Sequence, residues 1–252
     1  MPDRQHSEFC RCKLCMTRKI TESESEEYKT GIEATMVDRR DPDNPTSPLM
    51  KSSAVDAIIH AEQSVDMLAA TGIDTNTVPG AYDYPLTDPE ELIIQGTWKH
   101  RSQEAAKSGR DASVFGQLGV LLIPEDVSVV DIPKMNALAI PKEFLQKYGA
   151  TLIPLKEKVP IEKALHKGLE TLYLVQYDFD PRYVEKYVLH PKGGGGLFVE
   201  THPFPQIFTP LSNQCKGALI LGIALGNNQF SFTGIEIPYG FTLKINSNVI
   251  LN

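Results

Sequence analysis

The stretch GALILGIALGNNQFSFTGIEIPYGFTLKI, residues 217–245, decides the fold class. It breaks into short apolar runs separated by glycine, asparagine and proline, the residues that favour turns. The same rhythm continues on both sides, in LFVET (197–201), QIFTPL (206–211) and VIL (249–251). From residue 193 to residue 252 the charged residues are only Glu200, Lys216, Glu236 and Lys244. Short, nearly uncharged strands at roughly ten-residue spacing predict an antiparallel β-barrel or β-sandwich.

The part of the chain before residue 111 carries different signals. From Ser47 to Gly72 apolar residues recur at steps of three and four, which is the helical period, and Gly72 is a stop signal. A second helix is predicted from Thr87 to Gly109, because the sequence DPEE at 88–91 favours a helix start. The first 48 residues have clustered charge without apolar periodicity, which predicts a flexible acidic arm.

The predicted architecture is therefore mostly β with α, in three parts. Residues 1–48 form the flexible arm, 49–110 a helical segment and 111–252 an antiparallel β-barrel domain. Within the last part we predict a hairpin from 117–123 and 127–132, a short helix over 141–148, and strands at 150–155 and 169–179.

Composition limits the function classes. The chain has 252 residues, with 25 basic against 32 acidic side chains and a formal charge of −7. This balance argues against a protein that binds nucleic acids in general or the surface of anionic membranes. No apolar run reaches the roughly 18 to 20 residues of a membrane helix, and the first residues lack the apolar core of a secretory signal. We therefore expect a cytoplasmic protein.

Three of the four cysteines are clustered near one end, and the fourth is Cys215. Cys10, Cys12 and Cys15 follow His6, and together they supply enough thiols and imidazole for a tetrahedral zinc site. Four ligands within ten residues would force the backbone to fold tightly with little core to support it. Free thiols in an unstructured arm are the favoured interpretation, with zinc as the alternative.

The densest chemical signal lies around the glycine run at 193–196. The run gives the backbone freedom for tight turns, and the predicted strand after it places Glu200 and His202 two residues apart, hence on one face. If that face lines a barrel, Glu200, His202 and the amide of Gln206 converge in one pocket, with His190 as a fourth contributor. The alternative is a structural histidine at a strand end and a glutamate that faces solvent.

The order of these residues resembles the two short motifs of the cupin superfamily. Gly196, His202 and Gly217 match the first motif, and the run Gly234 to Gly240 with its Pro238-Tyr-Gly turn matches the second. The resemblance implies a small antiparallel barrel that holds a divalent metal such as Mn, Fe, Zn or Ni, with His202 as a ligand, and it suggests a homodimer. The other ligand positions carry residues that are not metal ligands of this family, Phe204 and Thr209 in the first motif and Leu243 in the second. In a second register the second-motif histidine would lie at or beyond Leu251.

Two functions follow from this pattern. The first is binding of a small polar metabolite, a sugar or sugar acid, with His202, Glu200, Gln206 and His190 as metal ligands. In an enzyme of this kind the metal would assist an isomerisation or epimerisation, and Glu200 would move the proton. The alternative is a non-catalytic structural or interaction module that has lost its metal site, because apolar residues stand at expected ligand positions.

Overall fold

The computed structural model describes residues 38–100, 119–122, 124, 126–163, 171–193, 199, 201–202 and 204–252. These residues are mostly β. The strands are β1 (Arg39–Asp41), β2 (Asn44–His60), β3 (Ser64–Val65), β4 (Leu92–Gln95), β5 (Thr97–His100), β6 (Gly119–Leu122), β7 (Lys134–Asn136), β8 (Ala150–Pro154), β9 (Val159–Pro160), β10 (Thr171–Phe179), β11 (Gln206–Phe208), β12 (Leu219–Gly226), β13 (Gln229–Glu236), β14 (Phe241–Ile245) and β15 (Ile250–Leu251).

The helices are short. They are α1 (Met67–Thr71), α2 (Lys142–Lys147), 3-10 turns at Thr75–Thr77 and Val129–Asp131, and one π-helical turn at Val184–Val188. None of these described helices has the length and apolar character that a membrane crossing requires. Their role is to cover and connect the sheets.

Two antiparallel sheets form the C-terminal part of the structure. Sheet I has the order β15-β12-β13-β4, with β7 joining β13 in parallel, and sheet II has the order β11-β14-β8. Hydrophobic residues from both sheets belong to one cluster, the central cluster, which also includes Phe144, Leu145 and Tyr148 from the α2 region. The two sheets therefore pack through a shared core, as the sequence predicts for this region.

Alternation along the strands buries both faces of sheet I. Leu221 and Ile235 lie in the central cluster, whereas Ile220 and Phe232 lie in a second, outer cluster. Gly222 is opposite Phe232 in the register, and a side chain at this glycine would collide with the Phe232 ring. Strands that are buried on both faces read as continuous apolar runs, which explains the composition of β12.

A third sheet, the ribbon sheet, has the order β1-β2-β10. A third hydrophobic cluster joins this sheet to sheet II. It contains Ile59 of β2 and Ile153 of β8, and Leu174 of β10 and Ile207 of β11 pack against it. In the described residues each of these sheets is an open array, so none closes into a barrel. The prediction of a mostly β fold with antiparallel sheets is therefore confirmed, whereas the predicted barrel is not.

The helical prediction for 49–110 is wrong in most of the described residues. Residues 44–60 form β2, which pairs with β10 from His60↔Thr171 to Met50↔Phe179. The apolar spacing of three and four was accidental, because distant pairing with β10 overrides local periodicity. Only Met67–Thr71 is helical in the first predicted helix, and it ends at Gly72 in the left-handed conformation, as predicted.

The second predicted helix is also wrong where it is described. Residues 92–95 form β4, an edge of sheet I, and 97–100 form β5, which pairs with β6. The predicted hairpin of 117–123 with 127–132 is therefore replaced by the β5–β6 pair, and 129–131 form a 3-10 turn. Pairing with distant strands makes these residues β-strands rather than helices, and such pairing leaves no pattern in the local sequence.

The predicted arm is partly structured. Residues 39–41 form β1 and 44–48 begin β2, so this portion of the arm belongs to the ribbon sheet. Residues 1–37, including Cys10, Cys12, Cys15 and His6, lie outside the described residues. The predicted helix at 141–148 and the strands at 150–155 and 169–179 are confirmed as α2, β8 and β10.

Candidate functional site

His202 is a buried histidine in the connection before β11. Its side chain is 8 % exposed, and its ring centroid lies 5.1 Å from that of Phe204, with 34° between the planes. Its carbonyl oxygen accepts a hydrogen bond of 2.7 Å from the backbone N–H of Asn248. The described neighbours at 199, 201 and 202 have no strand conformation, so the strand that was to align Glu200 with His202 is not present there.

Gln206 opens β11 at the edge of sheet II. It is opposite Ile245 in the register, and directly opposed residues in antiparallel strands share a face. Ile245 belongs to the central cluster, so Gln206 stands on the core face of the sheet. Its Nε2 is buried and has no hydrogen-bond partner within the described part of the chain. A buried amide donor without a partner costs about 1–3 kcal/mol, so it calls for an explanation.

His190 follows the π-helical turn and contacts Asp43 in the turn between β1 and β2. Its Nε2 is 3.0 Å from Oδ2 of Asp43, and its Nδ1 accepts a hydrogen bond of 3.2 Å from the backbone N–H of Lys192. The hydrogen bond with His190, and to a smaller extent that from Lys192, lowers the pKa of Asp43. Both ring nitrogens of His190 are thus engaged with residues other than His202 and Gln206.

Three of the four proposed ligands, His190, His202 and Gln206, lie among the residues that the structure describes. In that part of the chain there is no group of three or more histidine, cysteine, aspartate or glutamate side chains that could hold a metal ion. Glu200, predicted as both ligand and proton carrier, lies outside the described residues. His202 and Gln206 both adjoin the β14–β15 connection, through Asn248 and Ile245, while His190 contacts the β1–β2 turn.

The remaining positions of the cupin-like pattern are occupied by packing residues. Leu243 is 0 % exposed and Leu251 is 6 % exposed, and both belong to the central cluster. Thr209 is hydrogen-bonded through its hydroxyl to that of Thr242, at 2.7 Å. Leu243 and Leu251 thus place hydrocarbon between sheets I and II, at the second-motif histidine position of the first register and at the residue where that position begins in the second register.

The Pro238-Tyr-Gly turn is held by the segment before β4. Gly240 has a φ of +97°, and a side chain there would collide with the hydroxyl of Tyr82 and with Val78. Tyr82 donates a hydrogen bond to the carbonyl of Tyr239 and contacts Phe241 edge-on, with 4.9 Å between ring centroids. Burial raises the pKa of Tyr82. Glycine is required here by conformation and by close approach.

A polar network that the sequence analysis missed joins the exposed Glu91 and Lys147 to the central cluster at Tyr148. The hydroxyl of Tyr148 lies 2.8 Å from both Oε2 of Glu91 and Oγ of Ser231, and Lys147 donates to Glu91 at 2.5 Å. The hydrogen bond from Lys147 lowers the pKa of Glu91, and burial raises the pKa of Tyr148. Glu91, the neighbours Lys147 and Tyr148, and Ser231 come from three distant parts of the sequence and form no motif, so no local signal could have found the network.

Comparison of the chain with protein-family models, with curated proteins and with solved structures gave no match.

Proposed function

We propose that this chain is a non-catalytic structural or interaction module of cupin-like architecture whose metal site has been lost. The observation that carries the proposal is the burial of Leu243 and Leu251 in one hydrophobic cluster. Leu243 stands at the second-motif histidine of the first register, and in the second register that histidine would lie at or beyond Leu251. Aliphatic side chains offer no ligand atom, so neither register supplies an imidazole at this position.

The surroundings of His202 agree with a structural role. Burial against Phe204 and the backbone hydrogen bond to Asn248 fix the loop before β11 beside the β14–β15 connection. A histidine with this task stabilises the fold and needs no metal. His190 has a comparable local role, because it joins the β1–β2 turn to the segment after the π-helical turn through Asp43.

Metal content and its effect on stability test this proposal. We expect purified protein to contain no stoichiometric divalent ion, and its melting temperature to be the same with and without EDTA. His202→Ala should lower the melting temperature equally in both conditions. About one ion per chain in the native protein, absent from a folded His202→Ala variant, would contradict the proposal and support the metal-dependent isomerase or epimerase.

A second candidate, binding of a small polar ligand without catalysis, is favoured by Gln206. A ligand oxygen next to its buried Nε2 would provide the acceptor that the described residues do not supply. Gln206→Met removes the amide at similar volume. If the amide only destabilises the fold, the variant gains about 1–3 kcal/mol in the free energy of unfolding. If it serves a ligand such as D-glucose or D-gluconate, titration calorimetry shows binding to the native protein that this variant lacks.

A further inference from the structure

An open groove lies away from His202, between α1, the loop before β12 and the Pro238-Tyr-Gly turn. Its volume is about 450 Å³. This is within the roughly 300–1,000 Å³ of small-molecule sites. Three segments line it: Thr71 to Thr77 with Asp74, the loop residues Leu211, Ser212 and Asn213, and Tyr239.

Hydrogen bonds hold the Asp74, Thr77 and Tyr239 part of the groove in place. Thr77 and Tyr239 are joined through their hydroxyls at 2.5 Å. The backbone of Tyr239 is held in turn by the hydrogen bond from Tyr82, and the next residue, Gly240, packs closely against Tyr82. Asp74 caps the 3-10 turn by accepting, on Oδ1, hydrogen bonds of 2.9 Å from the backbone and side chain of Asn76.

The unused polar groups of the groove define what it can bind. Oδ2 of Asp74 and the side-chain amide of Asn213 make no hydrogen bond within the described residues, although both line the groove. All the lining residues are described, and none of them is basic. A carboxylate without a cationic neighbour disfavours phosphates and organic acids. A hydroxyl group both donates and accepts, so a polyol can engage the Asp74 carboxylate and the Asn213 amide donor together, whereas an ammonium group can only donate.

We propose that this groove binds a neutral, polyhydroxylated ligand about the size of one sugar ring. Its hydroxyls donate to Oδ2 of Asp74 and accept from the amide of Asn213, while its carbon face lies against Leu211. The site is independent of the central cluster, so it stands whether or not that cluster has lost a metal site.

Isothermal titration with methyl α-D-glucopyranoside and with myo-inositol tests the proposal. We expect saturable binding of at least one of them to the full chain. Asp74→Asn and Asn213→Ala should each weaken it about tenfold, the loss that corresponds to one charge-assisted or well-formed hydrogen bond. The matched controls Asp88→Asn and Gln214→Ala, at exposed residues outside the groove, should bind like the native protein.

Several outcomes would overturn the site. The groove has no such ligand if neither compound binds, or if the binding is unchanged in both Asp74→Asn and Asn213→Ala. Binding that is abolished by Gln206→Met and retained in the groove variants would place the ligand at the central cluster instead. Putrescine binding that depends on Asp74, without binding of either polyol, would show that the ligand class is wrong. Melting temperatures of the variants establish that each is folded.

Discussion

Apart from the parallel strand β7 of sheet I, sheet I and the ribbon sheet are antiparallel, but their strands are buried to different extents. In sheet I, strand β13 is buried from Phe230 to Ile235, and side chains on both of its faces belong to hydrophobic clusters. In the ribbon sheet, the side chains of β10 whose burial is described, at 174–179, are half-buried or exposed. Packing on both faces therefore stabilises sheet I, whereas the described part of β10 is only partly covered and contributes mainly through its pairing with β2.

The largest test of this difference is Phe232→Ala. Phe232 is 0 % exposed, and its removal leaves a cavity opposite Gly222, so we expect a loss of about 3–5 kcal/mol in the free energy of unfolding. Ile93→Ala, at an exposed position on neighbouring β4, should stay within about 0.5 kcal/mol of the native protein. Urea unfolding measures both. Equal losses would mean that packing does not distinguish the positions.

The polar network of the central cluster gives an intermediate effect. Tyr148→Phe removes the hydroxyl that joins Glu91 to Ser231 and leaves both groups short of a partner, at an expected cost of about 1–3 kcal/mol. Ser231→Ala in the Tyr148→Phe background should add less than Ser231→Ala alone, because the shared hydrogen bond is already absent. Strictly additive losses, measured by urea unfolding, would show that the two hydroxyls do not interact.

Glu91 makes the same network sensitive to acid. Its pKa is lower in the folded chain, chiefly through the hydrogen bond from Lys147, so its contribution is present above the ordinary pKa of a glutamate. That contribution is lost as the pH falls through the lowered folded value. Glu91→Gln should therefore show a shallower loss of stability over this acidic range. Parallel curves of melting temperature against pH for variant and native protein would contradict this.

The smallest test concerns the ribbon sheet, through an exposed residue of β2. Ser53 is paired with Gln176 and has no burial to lose, so substitution there reports backbone preference. In a strand, Ser53→Thr should be more stable than Ser53→Ala, by at most about 1 kcal/mol. A helix would give the opposite order, since alanine is the best helix former. The sign of the difference in urea midpoint is the result that matters.

The same contrast explains which parts of the fold could be predicted. The strands β12, β13 and β14 are evident because burial on two faces requires continuous apolar runs, and glycine or asparagine must stand at the turns. Strand β2 is not evident, because its partner β10 is distant and its apolar residues happen to follow a helical period. Local patterns report burial well and long-range pairing poorly.

The candidate site could be predicted only as a set of residue types. The sequence places His202 and Gln206 close together, and both do adjoin the β14–β15 connection. It also draws in His190, whose true neighbour, Asp43, is set by the pairing of the ribbon sheet. The groove of Asp74, Asn213 and Tyr239 is formed by three loops that are distant in the sequence, so no residue spacing along the chain predicts it.

The strand pairing of β2 with β10, and of β4 with β13, has a consequence for how the chain acquires its structure. The pair His60↔Thr171 and the pair Ile94↔Phe230 each close a loop of more than a hundred residues. Proteins rich in such distant pairings refold slowly, on the order of milliseconds to seconds, since chain entropy is lost before the contacts form. During that interval β2 offers a long unsatisfied edge to other chains, so dilution should favour recovery of native protein over aggregates.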